Sequence, residues 1–191
     1  GGIGRLGGFR CCHLSEGFCM KMILDRVQVG IDKYHRIMKR VHEVDVSTDM
    51  EFQRFFNGFY RMRQRSADFY KCYYCFLEAN KCNPSLTYEE VITHLYQETG
   101  SIHASFSSKL LATVNPSMPI WDKFVLQNLG LRTPYYYEKD RLQKTIQLYQ
   151  QICDWYQTEE AIQKLQLFNE LFPDVDISNV KKIDLVLWAT R

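Results

Sequence analysis

The sequence predicts an all-α fold, a compact domain of about eight to nine helices. From Met22 onward, apolar residues recur at three- and four-residue spacing, which places them on one face of a helix. The periodic segments are separated by cap residues, glycines and prolines. No segment alternates apolar and polar residues in the way that a half-buried strand does. With hydrophobic residues at 46% of the chain, a large core is expected.

Most predicted helices begin or end at a residue that has a physical reason to be there. Thr87 and Glu90 have the spacing of a capping box, and Gly100 supplies a stop for the helix that follows them. Asp122 is a strong N-cap, and Gly130 ends its short helix. The first predicted helix covers about 23–42, and the second runs from the cap candidates at 47–49 to residue 60. The next three cover 66–81, 87–100 and about 103–115. The sixth begins at 122, and the last three cover about 138–156, 158–172 and 178 to the last residue.

The first 22 residues differ from the rest of the chain. Six of the ten glycines lie within the first seventeen positions, and the apolar periodicity is poor. We interpret residues 1–22 as a tag remnant or an extension upstream of a true start at Met20 or Met22. Residues 23–191 are then a single all-α domain, with room for two helical lobes. No apolar window reaches the roughly eighteen residues of a membrane span, so no membrane partner is expected.

Charge and cysteine content exclude some classes of site. A net charge of +2 does not by itself indicate nucleic acid, so a polyanion site must come from local clusters such as Arg54, Arg61, Arg63 and Arg65. Cys72 and Cys75 have ligand-like spacing, but no second pair follows, and buried thiols are the favoured interpretation. We expect no metal and no cofactor. The odd count of seven cysteines and the lack of a secretory leader predict a reducing cytoplasm.

The most informative stretch is residues 100–131, which predicts helix, proline turn, aspartate and helix in that order. Ile120-Trp121-Asp122-Lys123-Phe124-Val125 is followed by Leu129-Gly130-Leu131, and the chain ends near Asp184-Leu185-Val186-Leu187-Trp188. Both patterns, in this order, resemble the helix-hairpin-helix DNA glycosylases. The likeness is greatest to the small archaeal and bacterial 8-oxoguanine glycosylase branch, and it weakens before about residue 50.

The resemblance implies that Asp122 is catalytic. Cleavage of an N-glycosidic bond builds positive charge on the deoxyribose, and a fixed carboxylate stabilises that charge in a water-poor site. The damaged base must leave the helix stack and be held against aromatic rings. Candidates are Trp121, Trp188, Phe106 and the three tyrosines 135–137, although core packing is the favoured explanation for any single one of these aromatic residues.

The hairpin departs from the pattern of that family. Ser101 and His103 stand where the family has glycines, and Ser105 stands at the position of the lysine that forms a Schiff base in the lyase members. Lys109 follows one helical turn later, on the same face, and is a catalytic candidate or a solvated lysine. His103 and Ser105 are candidate phosphate donors or ordinary helix caps.

Three hypotheses follow from the sequence. The first is a glycosylase-like enzyme that acts on a damaged base in DNA through Asp122, with doubtful lyase activity. The second is a non-catalytic descendant of the same fold that binds nucleic acid or protein. The third is an unrelated helical interaction domain, in which Asp122 would cap a helix on a convex surface. The oligomeric state and the substrate base stay open.

Overall fold

The computed structural model describes residues 10–191, with side chains from residue 19 onward. Within that range the chain forms nine α-helices and no β-strand, which confirms the all-α prediction. The helices are α1 Arg10–Glu43, α2 Met50–Tyr60, α3 Ala67–Asn80, α4 Tyr88–Thr99, α5 Ala104–Val114, α6 Lys123–Asn128, α7 Arg141–Trp155, α8 Glu159–Leu171 and α9 Asn179–Ala189. None of these helices is both long enough and apolar enough to cross a bilayer.

The largest difference from the predicted elements is the start of α1. The sequence predicted a helix from about residue 23, whereas α1 already begins at Arg10, so the predicted start of the first helix is wrong. Residues 19–22 are exposed and pack against no core, which is why the segment lacks an apolar stripe. Residues 1–9 lie outside the described part of the chain.

The predicted capping residues are confirmed. The side chains of Asp49, Ser66, Thr87 and Thr158 accept hydrogen bonds from backbone N–H groups in the first turns of α2, α3, α4 and α8. Gly100 ends α4 in the left-handed conformation (φ +76°), which glycine adopts without strain. Because α4 and α5 are separated only by residues 100–103, they form a tight helical hairpin that packs on α3.

The core has three clusters of buried side chains. The largest joins the C-terminal half of α1 to α2, α3, α4 and α5, with Phe56, Tyr73 and Tyr74 fully buried at its centre. A second joins α6 and α7 to the start of α8 and to Ile183 of α9. A third packs α1 against α8 and α9 around Phe168. Helices α1 and α9 therefore connect the clusters.

The cysteine prediction is only partly right. Cys72 is half-buried, but Cys75 is exposed, because α3 turns that side of its surface to solvent. Among the described residues, no three histidine, cysteine, aspartate or glutamate side chains are grouped closely enough to hold a metal ion.

Candidate active-site cavity

A cavity of about 430 Å³ lies where α1, α2, α5, α9 and the segment before α6 meet. Its walls come from elements that are far apart in sequence, so only the folded chain assembles it. The lining includes five of the candidates that the sequence singled out, namely Asp122, Lys109, Trp121, Trp188 and Ser105. The other lining residues are Gly30, Lys33, Gly58, Phe59, Tyr60, Arg61, Arg63, Ile120, Lys181, Asp184, Leu185 and Arg191.

Asp122 is both a helix cap and a cavity carboxylate. It is only 8% exposed, and its Oδ1 accepts hydrogen bonds from the N–H groups of Phe124 (2.8 Å) and Val125 (3.2 Å). Its Oδ2 pairs with the guanidinium of Arg191, which also lies over the ring of Phe124. The convex-surface placement expected under the third hypothesis is therefore wrong.

Three side chains fix the proline turn that presents Asp122. The Trp121 N–H donates to Oγ of Ser108 on α5 (2.8 Å). Tyr149 of α7 donates its hydroxyl to the carbonyl of Pro119 (2.7 Å), and Ser178 at the start of α9 donates to that of Pro116 (2.6 Å). Because three different elements hold one short turn, the position of the carboxylate is tied to the fold as a whole.

Lys109 projects from α5 towards the end of α2. Its Nζ donates to the carbonyl of Tyr60 (2.7 Å), the last residue of α2, where the helix dipole favours a cation. Its ammonium also lies 5.2 Å from the centre of the Phe106 ring. Burial, with smaller contributions from the positive charges of Arg61 and Lys181, lowers the pKa of Lys109 from 10.5 to about 8. A sizeable neutral fraction near neutral pH follows.

The second buried amine of the cavity belongs to Lys181. It is 6% exposed, and its Nζ lies 4.8 Å from the ring centre of Tyr34 and 5.4 Å from those of Phe59 and Tyr60. No carboxylate lies within 4.0 Å of it among the described residues. Burial lowers the pKa of this lysine, although the charge of Asp184 partly offsets the effect.

Asp184 supplies a second carboxylate to the cavity. Tyr156 donates its hydroxyl to Oδ1, while Oδ2 is buried without a hydrogen-bond partner in the described structure. Burial raises the pKa of Asp184 to about 6, against the opposing effects of Lys181 and Tyr156. The hydroxyl of Tyr60 is likewise buried and without a partner in the described structure. Unpaired polar atoms of this kind are costly unless a ligand or water meets them.

The charge of the lining is strongly positive although the chain is nearly neutral. Six lysines and arginines face the cavity against two aspartates. One of them, Arg61, caps α2 in the left-handed conformation with φ +56°, which is uncommon for a residue with a side chain. Residues held in such a conformation cluster at binding sites. Because lysines and arginines outnumber aspartates in it, the lining suits an anionic ligand.

Two glycines shape the cavity walls differently. A Cβ on Gly30 would lie 2.9 Å from Cδ2 of Leu185 and 3.5 Å from the Trp188 ring, so this glycine lets α1 approach α9 closely. A Cβ on Gly58 would meet nothing within 4 Å, because this face of α2 opens into the cavity. Gly58 therefore has no packing reason to be a glycine, in a helix where it costs stability relative to alanine.

The remaining sequence candidates lie elsewhere. His103 and Phe106 do not line the cavity; they stack near Phe69, and burial lowers the pKa of His103. The tyrosines at 135–137 project from the connection between α6 and α7 and are also outside the lining. Nothing in the sequence singled out Lys181, because the adjacent Lys182 carries the same charge in the same helix. Asp184 was noted from the sequence only as a member of the C-terminal Asp-Leu-Val-Leu-Trp pattern.

Comparison of the chain with protein-family models, with curated proteins and with solved structures finds no match.

Proposed function

We propose that this protein is a DNA base-excision enzyme of the helix-hairpin-helix glycosylase type, with Lys109 as the nucleophilic amine and Asp122 as the stabilising carboxylate. The observation that carries the proposal is that both side chains line one cavity, although they come from different elements. Neither residue type alone is specific, but an amine with a lowered pKa and a buried carboxylate facing one cavity are typical of active sites.

The state of Lys109 suits nucleophilic attack. With a pKa of about 8, roughly one amine in ten is neutral at pH 7, against about three in ten thousand at the usual lysine pKa. The neutral nitrogen attacks C1′ of the flipped nucleotide, and the C1′–N bond breaks with its electron pair leaving on the base. One amine proton passes to the departing base and the second to the ring oxygen O4′ as the sugar ring opens, which leaves an imine between the lysine nitrogen and C1′. This chemistry requires an amine but no metal ligand.

Asp122 suits the charge that develops during this step. Two backbone N–H groups hold Oδ1 in place before C1′ becomes cationic. Oδ2 faces the guanidinium of Arg191, whose side chain is one-third exposed. In the proposed step Arg191 moves aside, and the cationic sugar takes its place beside Oδ2.

The rest of the lining suits a flipped nucleotide. Trp121 and Trp188 offer ring surfaces for a base. Lys33, Arg61 and Arg63 supply charge for the phosphates on either side.

A second candidate function is nucleic-acid binding without catalysis. The hairpin favours it, because Ser101 and His103 stand at positions where the glycosylases have glycines that let the backbone approach a phosphate. In that case Asp122 would be retained as the cap of α6.

Borohydride trapping separates the two functions. Wild-type protein is incubated with an oligonucleotide that contains one abasic site, and the imine is reduced to a covalent complex. We expect a trapped complex that is lost in Lys109→Gln and kept in Lys71→Gln, a matched change at an exposed lysine on α3. Trapping that is undiminished in Lys109→Gln contradicts the assignment of the amine. Binding without any trapping would point to a water-using glycosylase or to the non-catalytic function, and excision of a damaged base separates those two.

A further inference from the structure

The connection between α6 and α7 exposes three consecutive tyrosines. Tyr135, Tyr136 and Tyr137 are 48%, 85% and 68% exposed, which is unusual for large rings in a protein with well-filled cores. We define the tyrosine loop as residues 132–141. Large aromatic surfaces left in water at one place mark a binding surface more often than chance exposure.

The tyrosine loop is held in one shape without being buried. The rings of Tyr135 and Tyr137 stack with centres 5.4 Å apart and an angle of 18°, and the guanidinium of Arg132 lies 3.8 Å from the Tyr135 ring centre. Arg132 also pairs with Glu138 (2.9 Å), and Arg141 donates to the carbonyl of Tyr136 (3.1 Å). The rings are therefore held in place before any ligand binds, which lowers the entropy cost of binding.

Cations beside the exposed rings indicate the partner. The tyrosine loop carries Arg132, Lys139 and Arg141 against Glu138 and Asp140, and Glu138 is already paired with Arg132 and Lys144. An open hollow of about 390 Å³ lies beside Tyr136, and its lining includes Glu138, Asp140, Arg141 and Ile102 of the α4–α5 hairpin. Basic side chains interleaved with exposed rings are the combination that binds unpaired nucleic acid, because every base has a ring face to stack.

We propose that the tyrosine loop is a stacking platform for an unpaired nucleic-acid strand, separate from the cavity. Tyr136, the most exposed ring, stacks on a base, while Arg132 and Arg141 contact the backbone. Along the chain, α6 and residues 129–131 separate the loop from Asp122, and no residue of the loop lines the cavity. The platform is therefore a site of its own and does not depend on base excision.

Fluorescence anisotropy with a labelled twelve-nucleotide oligothymidine, which contains no damaged base, tests the platform. We expect Tyr136→Ala to weaken binding about tenfold and Tyr136→Trp to retain it, because stacking needs a ring and not a hydroxyl. Met50→Ala, which removes another exposed apolar side chain on α2, is the control and leaves binding unchanged. Since Tyr136 is exposed, its variants keep the wild-type circular dichroism.

Two further probes identify the contact. An oligomer of the same length made wholly of abasic nucleotides binds wild type and Tyr136→Ala equally, and a duplex shows no dependence on Tyr136. Equal affinity of the two proteins for oligothymidine would overturn the proposal. So would light scattering that shows a wild-type dimer and a Tyr136→Ala monomer, because the surface would then join two copies of this chain. Because oligothymidine contains neither a damaged base nor an abasic site, its binding is measured without the excision chemistry, and failure of the proposed function is distinguished from failure of the platform.

Discussion

At the scale of single residues, Asp122 combines a structural role with a position that suits catalysis. Each of its carboxylate oxygens has a different role: Oδ1 caps α6, while Oδ2 meets a cation at the cavity wall. A cap needs only an oxygen acceptor, whereas stabilisation of a cation needs the charge. The two roles can therefore be separated by a substitution that keeps the acceptor and removes the charge.

We expect Asp122→Asn to abolish base excision and to leave the free energy of unfolding within about 1 kcal/mol of wild type. Asparagine caps a helix about as well as aspartate, and Arg191, which is one-third exposed, keeps access to water when the ion pair is lost. Urea unfolding and single-turnover excision measure the two effects. Asp49→Asn, the same change at the cap of α2, is the control and keeps activity. Full activity in Asp122→Asn would contradict the assignment.

Lys109 should make stability depend on pH in a definite direction. Its pKa in the folded protein is about 8, below the 10.5 of an unfolded chain, so the unfolded state binds its proton more tightly. The free energy of unfolding of wild type therefore rises between pH 8 and 10.5 through this residue, by about 1–3 kcal/mol.

Lys109→Met removes that dependence. Urea unfolding, followed by tryptophan fluorescence at pH 7.5 and 10, gives the stability difference between variant and wild type at each pH. We expect this difference to shift in favour of wild type at pH 10, because the desolvated ammonium no longer opposes folding there. A difference that is the same at both pH values would mean that Lys109 has an ordinary pKa, and the nucleophile would have to be sought elsewhere.

At the scale of helices, local sequence signals predicted where most helices begin and end, but not which helices pack against each other. Thr87, Glu90 and Gly100 fixed the ends of α4 because caps and stops act within one turn. The start of α1 was missed because an exposed helix needs no apolar stripe. The sequence also could not predict that Lys181 lies among three aromatic rings, because those rings come from α1 and α2 and only tertiary packing brings them to α9.

Helix α2 offers a test of whether the cavity holds a ligand. We expect Gly58→Ala to raise the free energy of unfolding by about 0.5–1 kcal/mol, because alanine is the better helix former and the new Cβ meets nothing within 4 Å. Gly58→Leu reaches further into the cavity and should weaken binding of an abasic oligonucleotide. Gly17→Ala, at a helical glycine of α1 with equally open surroundings, raises stability without changing binding. Unchanged binding in Gly58→Leu would place the ligand away from this wall.

At the scale of the whole molecule, the cavity exists because α1 and α9 join three core clusters. This arrangement gathers cations from α1, α2, α5 and α9 at one place, although the chain carries a net charge of only +2. Composition therefore gave no indication of a polyanion site, because net charge does not report where the charges lie. The fold converts a nearly neutral sequence into a locally basic cavity.

Oligonucleotide binding should therefore depend on salt far more steeply than the net charge suggests. If three or four phosphates are neutralised, the affinity for a single strand falls about 20- to 50-fold between 50 and 200 mM salt. Arg63→Gln removes one cavity charge and should make the slope of log affinity against log salt shallower by about 0.7. Arg54→Gln, at an exposed arginine of α2 outside the cavity lining, should leave the slope unchanged. Equal slopes for wild type and Arg63→Gln would show that the phosphates do not pass this cavity.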